Sequence, residues 1–270
     1  MENDKIIVSM TSWPKRIHNV AKAIYSIIRQ NVDASLYHIV LVLCGKEFPN
    51  KEDDLPYELR LMHENGCFEI IWTPNNTFSH KKLMPTIAKY PNNAILVCDE
   101  DIIRPQDWLS YFIKDHKEHP SDILVGGCVF DICFERDGTF NPVKRFGFDK
   151  PDCAGKLIKN RRPANGFGGV LYPAGTFTDP RFYNEDLYMK LSRYSDESWQ
   201  FCFNVIEHRN IRWISKIIPH QKGQQPGTYE TSMSKIRSNP SNKGDGYVEI
   251  YKRLFKEFPE FKQALMERLK

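Results

Sequence analysis

Two apolar runs on either side of one amphipathic segment constrain this chain more than any other feature. Lys5 to Met10 and Tyr37 to Cys44 are apolar at nearly every position, so each reads as a buried strand. Between them Ile17, Val20, Ala21, Ile24, Ile27 and Ile28 recur at the helical period. Strand, helix, strand with both strands buried is a βαβ unit, which requires a parallel sheet covered on both faces. Glu69 to Trp72 and Ala94 to Cys98 supply further strands, Lys81 to Lys89 a helix, and another helix restarts after Pro105. Residues 1 to about 120 therefore read as a doubly wound α/β half. Ligands bind such sheets beyond the carboxyl ends of the strands, and two polar loops, Thr11 to Arg16 and Asp99 to Asp101, fall there.

The rest of the sequence is less regular. Ile123 to Val125 and Cys128 to Phe134 read as strands, a basic glycine-containing stretch runs on through Arg162, and Gly166 to Pro173 leads into another strand. Helical periodicity returns after Asn184, and Trp213 to Ile218 reads as a late strand. Residues 221–246 have the composition of a mobile loop. A last amphipathic helix starts near Tyr247; its Val248, Tyr251, Leu254 and Phe255 form one apolar face expected to dock on the core, and Pro259 interrupts it.

Charge and cysteine usage exclude several classes. Of 270 residues, 38 are Lys or Arg and 34 Asp or Glu, a net charge of +4. So mild an excess does not mark a nucleic-acid binder; it suits an anionic small ligand or a loose, peripheral association with anionic lipid. No apolar run approaches the roughly 18–20 residues of a transmembrane helix, and Met1 to Lys5 is polar, with no secretory signal. The seven cysteines contain no CxxC pair and read as buried free thiols of a reducing compartment. The expected location is the cytoplasm, with the inner face of the membrane as the other expected place.

Asp99-Glu100-Asp101, directly after the apolar run Ala94 to Cys98, is the most informative motif. Side chains alternate along an extended strand, so Asp99 and Asp101 are expected on one face and Glu100 on the other. Two carboxylates converging at a strand end make an oxygen site for Mg²⁺ or Mn²⁺, ions that keep waters and complete their shell with substrate phosphates. Such an ion neutralises a diphosphate and acts on it as a Lewis acid when it leaves.

Five short elements follow one another in order: Thr11-Ser12-Trp13-Pro14-Lys15-Arg16-Ile17, Lys81-Lys82-Leu83-Met84-Pro85, Asp99-Glu100-Asp101, Gly168-Gly169-Val170-Leu171-Tyr172-Pro173 and Asp196-Glu197-Ser198-Trp199. Together they resemble bacterial GT-A-fold glycosyltransferases of the polysaccharide-assembly type, over about residues 6 to 200. The resemblance implies a single GT-A-like α/β domain. Its Rossmann-like half would carry a mixed, mainly parallel central sheet. The expected division is residues 1–125 for the nucleotide sugar, 126–225 for the acceptor, and 226–270 for a mobile loop and C-terminal helix. The resemblance also implies metal-dependent transfer of a sugar, in surface polysaccharide synthesis and with inversion. The donor would be a nucleotide-diphosphate sugar, UDP-sugar favoured, and the acceptor a saccharide or a lipid-linked one.

Residue by residue, the resemblance makes Asp99 and Asp101 metal ligands and puts Thr11, Trp13 and Arg16 at the nucleoside, with Glu100 also in the donor-binding set. A guanidinium beside phosphate and a ring stacked on a base suit Arg16 and Trp13. Lys81 or Lys82 is expected to reach the diphosphate as a point charge, the other lying on a solvated helix face. The second strand ends in Gly45-Lys46-Glu47 without an aspartate at its tip, which leaves the choice of nucleotide open.

An inverting transfer needs a carboxylate to take the acceptor's proton opposite the departing diphosphate. By the resemblance Asp196-Glu197 supplies it, Glu197 being the first choice and Asp196 the second; Asp196 reads equally well as a helix cap. Asn184-Glu185-Asp186-Leu187 is a rival acidic pair. Gly166, Gly168 and Gly169 lack the order of a dinucleotide loop and are expected to allow close approach of a flat sugar, or a bulge. Arg145, Arg161 and Arg162 read as a solvated basic loop. His220-Gln-Lys-Gly223 resembles half of the late HxxGxxKPW signature of glycogenin-type enzymes, which implies His220 as a metal ligand and a loop closing over the nucleotide. Two other classes fit less well. A sugar-phosphate nucleotidyltransferase expects a glycine-rich loop near the first strand, and residues 9–20 contain no glycine. A carbohydrate-binding protein would keep the fold without the chemistry of the carboxylates.

Overall fold

A computed structural model describes residues 5–127, 129–134, 140–145, 153–158, 161–163, 168–216, 223–238 and 246–268. The opening βαβ unit comprises β1 (Ile6–Thr11), α1 (Ile17–Ile28) and β2 (Tyr37–Cys44), the strands pairing in parallel with Ile6 opposite Tyr37. Then come α2 (Tyr57–Glu64), β3 (Glu69–Thr73), α3 (Met84–Lys89), β4 (Ile95–Val97), α4 (Trp108–Glu118) and β5 (Ile123–Val125). A small antiparallel sheet follows, of β6 (Val129–Phe134), β7 (Phe140–Arg145) and β8 (Arg161–Pro163), with β6 in the middle. The described chain ends with β9 (Val170–Tyr172), α5 (Glu185–Ser192), α6 (Asp196–Ile206), β10 (Ile211–Trp213), α7 (Met233–Ser238), α8 (Tyr247–Glu257) and α9 (Pro259–Arg268).

The main sheet has seven strands in the order β10-β5-β9-β4-β1-β2-β3. Its neighbours are parallel except at β9, which runs antiparallel to both β4 and β5. Strand order reverses at β1, with β2 and β3 to one side and β4 to the other. A crevice at the carboxyl ends of β1 and β4 is the switch point where α/β sheets bind ligands.

Alternation divides each strand between two cores. Ile7, Val40, Val42, Ile95 and Val97 face one cluster, built on Tyr188, Trp199, Phe203, Tyr251 and Phe261 of α5, α6, α8 and α9. Val8, Met10, Ile39, Leu41 and Leu96 face the other, with Val20 and Ile24 of α1 and Trp108 and Phe112 of α4. Both faces are covered, which is why the strands are apolar throughout rather than alternating. Helix α8 docks through Ile250, Tyr251 and Leu254, each fully buried side chain contributing about 1.5–3 kcal/mol relative to exposure.

The structure corrects four local expectations. Lys81 to Lys89 is not one helix. Phe78–Lys82 is a 3-10 turn and α3 starts at Met84, because Pro85 lacks an N–H and is tolerated only in a first turn. The basic stretch read as a loop contributes β7 and β8, Arg145 opposing Phe130 and Arg161 opposing Asp131 in the small sheet. The late strand covers Ile211–Trp213, starting two residues before the expected Trp213. Finally, the close approach at Gly168 is made to protein backbone: a Cβ there would lie 2.1 Å from the Gly127 nitrogen. The Trp108 indole holds this junction by donating to the Gly168 carbonyl at 2.7 Å. Gly166 lies outside the described residues.

Candidate active site

Strand β4 stops at Val97, and the alternation of an extended chain stops with it. Asp99, Glu100 and Asp101 therefore do not sort by faces as expected. Glu100 and Asp101 turn together onto Arg16, Nη1 donating to Glu100 Oε1 at 2.9 Å and Nη2 to Asp101 Oδ2. Asp99 goes the other way and accepts from Lys82 Nζ at 2.6 Å. All three carboxylates stand at the carboxyl end of β4, beside the loop that leaves β1.

The lysine pair departs from expectation more sharply. Neither lysine is solvated: Lys81 is 2% exposed and Lys82 7%. Lys81 Nζ donates to Glu47 Oε2 at 3.0 Å, at the tip of β2, and Asn76 Nδ2 donates to Glu47 Oε1 at 2.7 Å. The Lys82 backbone is fixed from β1, where Ser9 Oγ donates to its carbonyl at 2.6 Å. Burial alone would lower the Lys82 pKa, but the charges of Asp99 and then Asp196 override it and hold the ammonium protonated. Lys82 thus stands between a carboxylate from the end of β4 and one from the start of α6.

Around Arg16 the balance is different. Burial would lower its pKa, yet Glu100, Asp101 and Asp99 together raise it. On the acid side burial wins: Glu100 is pushed up to about 7 against the Arg16 charge, with Asp101 and Asp99 adding to the rise. Asp101 is raised too, by burial and then by Asp99.

At α6 the cap is Ser195, whose Oγ accepts from the Ser198 backbone N–H at 3.4 Å; Asp196 is the first helical residue. Asp196 is buried and acts electrostatically on Lys82 and His80. Glu197 points elsewhere and accepts from the Tyr247 hydroxyl of α8 at 3.3 Å. The rival pair, Glu185 and Asp186, is exposed in the first turn of α5, where Asn184 is the cap and Glu185 accepts from Asn75. His80, which nothing in the sequence marked, is fully buried and stacked on Tyr188 at 4.5 Å. Its Nε2 donates to the Ser192 carbonyl at 3.0 Å, and burial lowers its pKa, so the ring is neutral.

The segment read as a mobile loop is, from Gly223 on, tied to this site. Ile103 N–H donates to Gly223 O at 2.7 Å and Gln225 N–H to Asp101 O at 2.8 Å, while Gln225 Nε2 reaches Asn19 O at 2.9 Å. Arg16 Nη2 donates to Thr228 O at 3.3 Å. The strap thus crosses the same arginine that grips the carboxylates. His220 lies outside the described residues.

Of the first loop, Thr11 is committed to the sheet, its hydroxyl donating to Val42 O at 2.7 Å. Trp13 is half-buried with Lys15 Nζ 5.4 Å from its ring centre. The structure thus brings together Arg16, Lys82, Asp99, Glu100, Asp101 and Asp196. It sets Lys81 apart with Glu47, a residue that sequence reasoning passed over because it stands beyond the strand tip.

Among the described residues no three His, Cys, Asp or Glu side chains surround a point that could hold a metal ion. The charge inventory nevertheless suits an oxygen-preferring cation. Asp99, Glu100, Asp101 and Asp196 face Arg16 and Lys82, with Arg104 also acting on Asp101, and burial first and their mutual repulsion second raise Glu100 and Asp101.

No protein-family model and no curated protein matches this sequence. Solved structures do. S. aureus TarS in complex with UDP-GlcNAc is similar, with a TM-score of 0.55 at 14% identity over 98% of this chain and 71% of that one. TarS in complex with UDP gives 0.53 at 12% identity, over 98% of this chain and 82% of that one. At such identity the likeness is one of fold, and the chain is a GT-A-like α/β domain with a mixed, mainly parallel seven-stranded sheet.

Proposed function

We propose that this chain is a glycosyltransferase moving a sugar from a nucleotide-diphosphate donor, UDP-sugar favoured, to a saccharide or lipid-linked acceptor in surface polysaccharide synthesis. The observation that carries the reading is the carboxylate–cation array at the switch point, on a fold that TarS uses with UDP and UDP-GlcNAc. A divalent cation, Mn²⁺ or Mg²⁺, would be held by Asp99 and Asp101 in exchange for their present partners Lys82 and Arg16, and would supply Lewis acidity to the departing diphosphate. Arg16 and Lys82 are the chain's own cations for that diphosphate. Trp13 and Glu47 border the place of the nucleoside.

Asp196 is the general base of this reading. It lies on the Lys82 side of α6, whereas Glu197 faces Tyr247. The acceptor hydroxyl gives its proton to Asp196 while its oxygen bonds to the anomeric carbon. The bond from that carbon to the phosphate oxygen breaks, its electron pair leaving with the nucleoside diphosphate, and the sugar is inverted.

The test is a thermal-shift panel of UDP, GDP, CDP and TDP, each with and without Mn²⁺, on the wild type and on Asp99→Ala/Asp101→Ala. A ligand that binds only the folded state raises the melting temperature by mass action. The expected result is a metal-dependent shift with UDP that the double variant lacks. A folded protein with no shift for any nucleotide would overturn the donor site.

A further inference from the structure

From Lys5 to Val32 the sequence contains Lys5, Lys15, Arg16, Lys22 and Arg29 and not one aspartate or glutamate. Helix α1 sorts this composition into two faces. Val20, Ala23, Ile24 and Ile27 are buried on the sheet. On the opposite side His18, Lys22, Tyr25 and Arg29 follow at spacings of four, three and four, a single stripe, and all four are exposed.

Tyr25 is 56% exposed and Ile103, on the segment after Asp101, is 37% exposed. With Lys22, Arg29, Met62 and Arg104 they line a shallow groove of about 520 Å³, whose walls carry three cations and no carboxylate. Arg104 forms its floor, buried with the guanidinium 4.8 Å from the Trp108 ring centre. An occupant has to offer negative charge and apolar surface together. A free phosphate offers the first without the second, and a net charge of only +4 does not mark a nucleic-acid binder.

We infer that this face of α1 seats the chain on an anionic phospholipid surface. Lys22 and Arg29 meet the head groups, and Tyr25 sits at their level with its ring towards the acyl boundary, where amphipathic aromatics concentrate. Helix α1 begins one residue after Arg16, and Lys22 lies six residues on, roughly 9 Å along the axis at 1.5 Å per residue. Docking by this face leaves the carboxylate array, gripped by Arg16, beside the N-terminal end of the seated helix. The inference is independent of the transfer reaction, since attachment is measured without donor or acceptor.

The experiment is co-sedimentation of the full chain with phosphatidylcholine vesicles and with vesicles in which phosphatidylglycerol replaces part of the phosphatidylcholine. The wild type is expected to bind the mixed vesicles alone, and to release them at high salt as the surface potential is screened. Each juxtamembrane cation is worth about five-fold in affinity. Lys22→Gln/Arg29→Gln should therefore weaken binding roughly 25-fold, and Tyr25→Ser several-fold, both at the wild-type melting temperature. Neither variant touches the carboxylate array. Equal binding to the two vesicle types, or no binding to either, overturns the inference. So do folded variants that bind like the wild type, and so does a wild-type dimer that Tyr25→Ser dissociates, which would give the face to a second copy of the chain.

Discussion

Replacing Gly223 by alanine should free the strap without unfolding the protein, and the size of the effect follows from two local terms. Gly223 has φ +87, and a Cβ there would lie 2.1 Å from the Ile103 carbonyl oxygen. An L-residue held in the left-handed region costs roughly 1–2 kcal/mol. The steric conflict is relieved only by withdrawing Gly223 from Ile103, which breaks the 2.7 Å hydrogen bond between Ile103 N–H and Gly223 O; such a bond contributes about 1 kcal/mol. Together these give about 2–3 kcal/mol, or roughly a 30- to 150-fold rise in strap opening. Gly227→Ala is the internal control. Its φ is +77 but nothing lies within 4 Å of its Cβ, so only the backbone term applies. Native-state hydrogen exchange at the Ile103 and Gln225 amides reads the opening directly. If Gly223→Ala accelerates exchange no more than Gly227→Ala does, contact with Ile103 is not what fastens the strap.

Three other outcomes follow from the same array. Lys82→Met leaves Asp99 and Asp196 without their shared cation. Breaking a buried pair costs roughly 3–5 kcal/mol, and the 27% exposure of the Asp99 side chain reduces this to about 2 kcal/mol by solvent screening; urea unfolding with no loss of stability would contradict it. Asp196→Asn should lower turnover by about 10²–10⁴, the range of a general base, while Glu197→Gln stays within a few-fold; reversed effects would return the role to Glu197. Burial sets Glu100 at about 7 against an ordinary 4.5, opposed by Arg16. A carboxyl with a raised folded pKa stabilises below its unfolded value and loses that contribution as pH rises through the folded one. In chelator-treated buffer, stability should therefore fall between pH 4.5 and about 7. Glu100→Gln should flatten that fall, and a variant curve parallel to the wild type would count against it.

Periodicity carried the first half of the fold because local pattern and tertiary burial agree there: β1, α1 and β2 lie where their apolar residues recur. Where they disagree, the reading failed. Lys81-Lys82 has the local signature of a solvated face, and only partners remote in sequence, Glu47 and Asp99, make burial tolerable. The alternation rule misplaced Glu100 because it was carried past Val97, where the strand has already ended. Cap chemistry divided Asp196 from Glu197: Ser195 takes the capping role and the helix turns the two carboxylates onto different neighbours. Adjacent acids in a sequence look interchangeable. One helical residue step separates them by about 100°, and with it their partners.

Strand β9 has a consequence for how the chain is made. It fills the slot between β4 and β5, so Leu96 and Leu124 both wait for Leu171. On a ribosome adding about 5–20 residues per second, the finished edge of β4 stays bare for several seconds, and β5 cannot join the sheet until β9 arrives. An unpaired apolar strand edge invites pairing with other chains. Low temperature during expression, or a chaperone that shields the nascent chain, should therefore raise the soluble yield more than stabilising the folded protein does. A fragment ended between β5 and β9 should aggregate even with the whole opening βαβ unit intact.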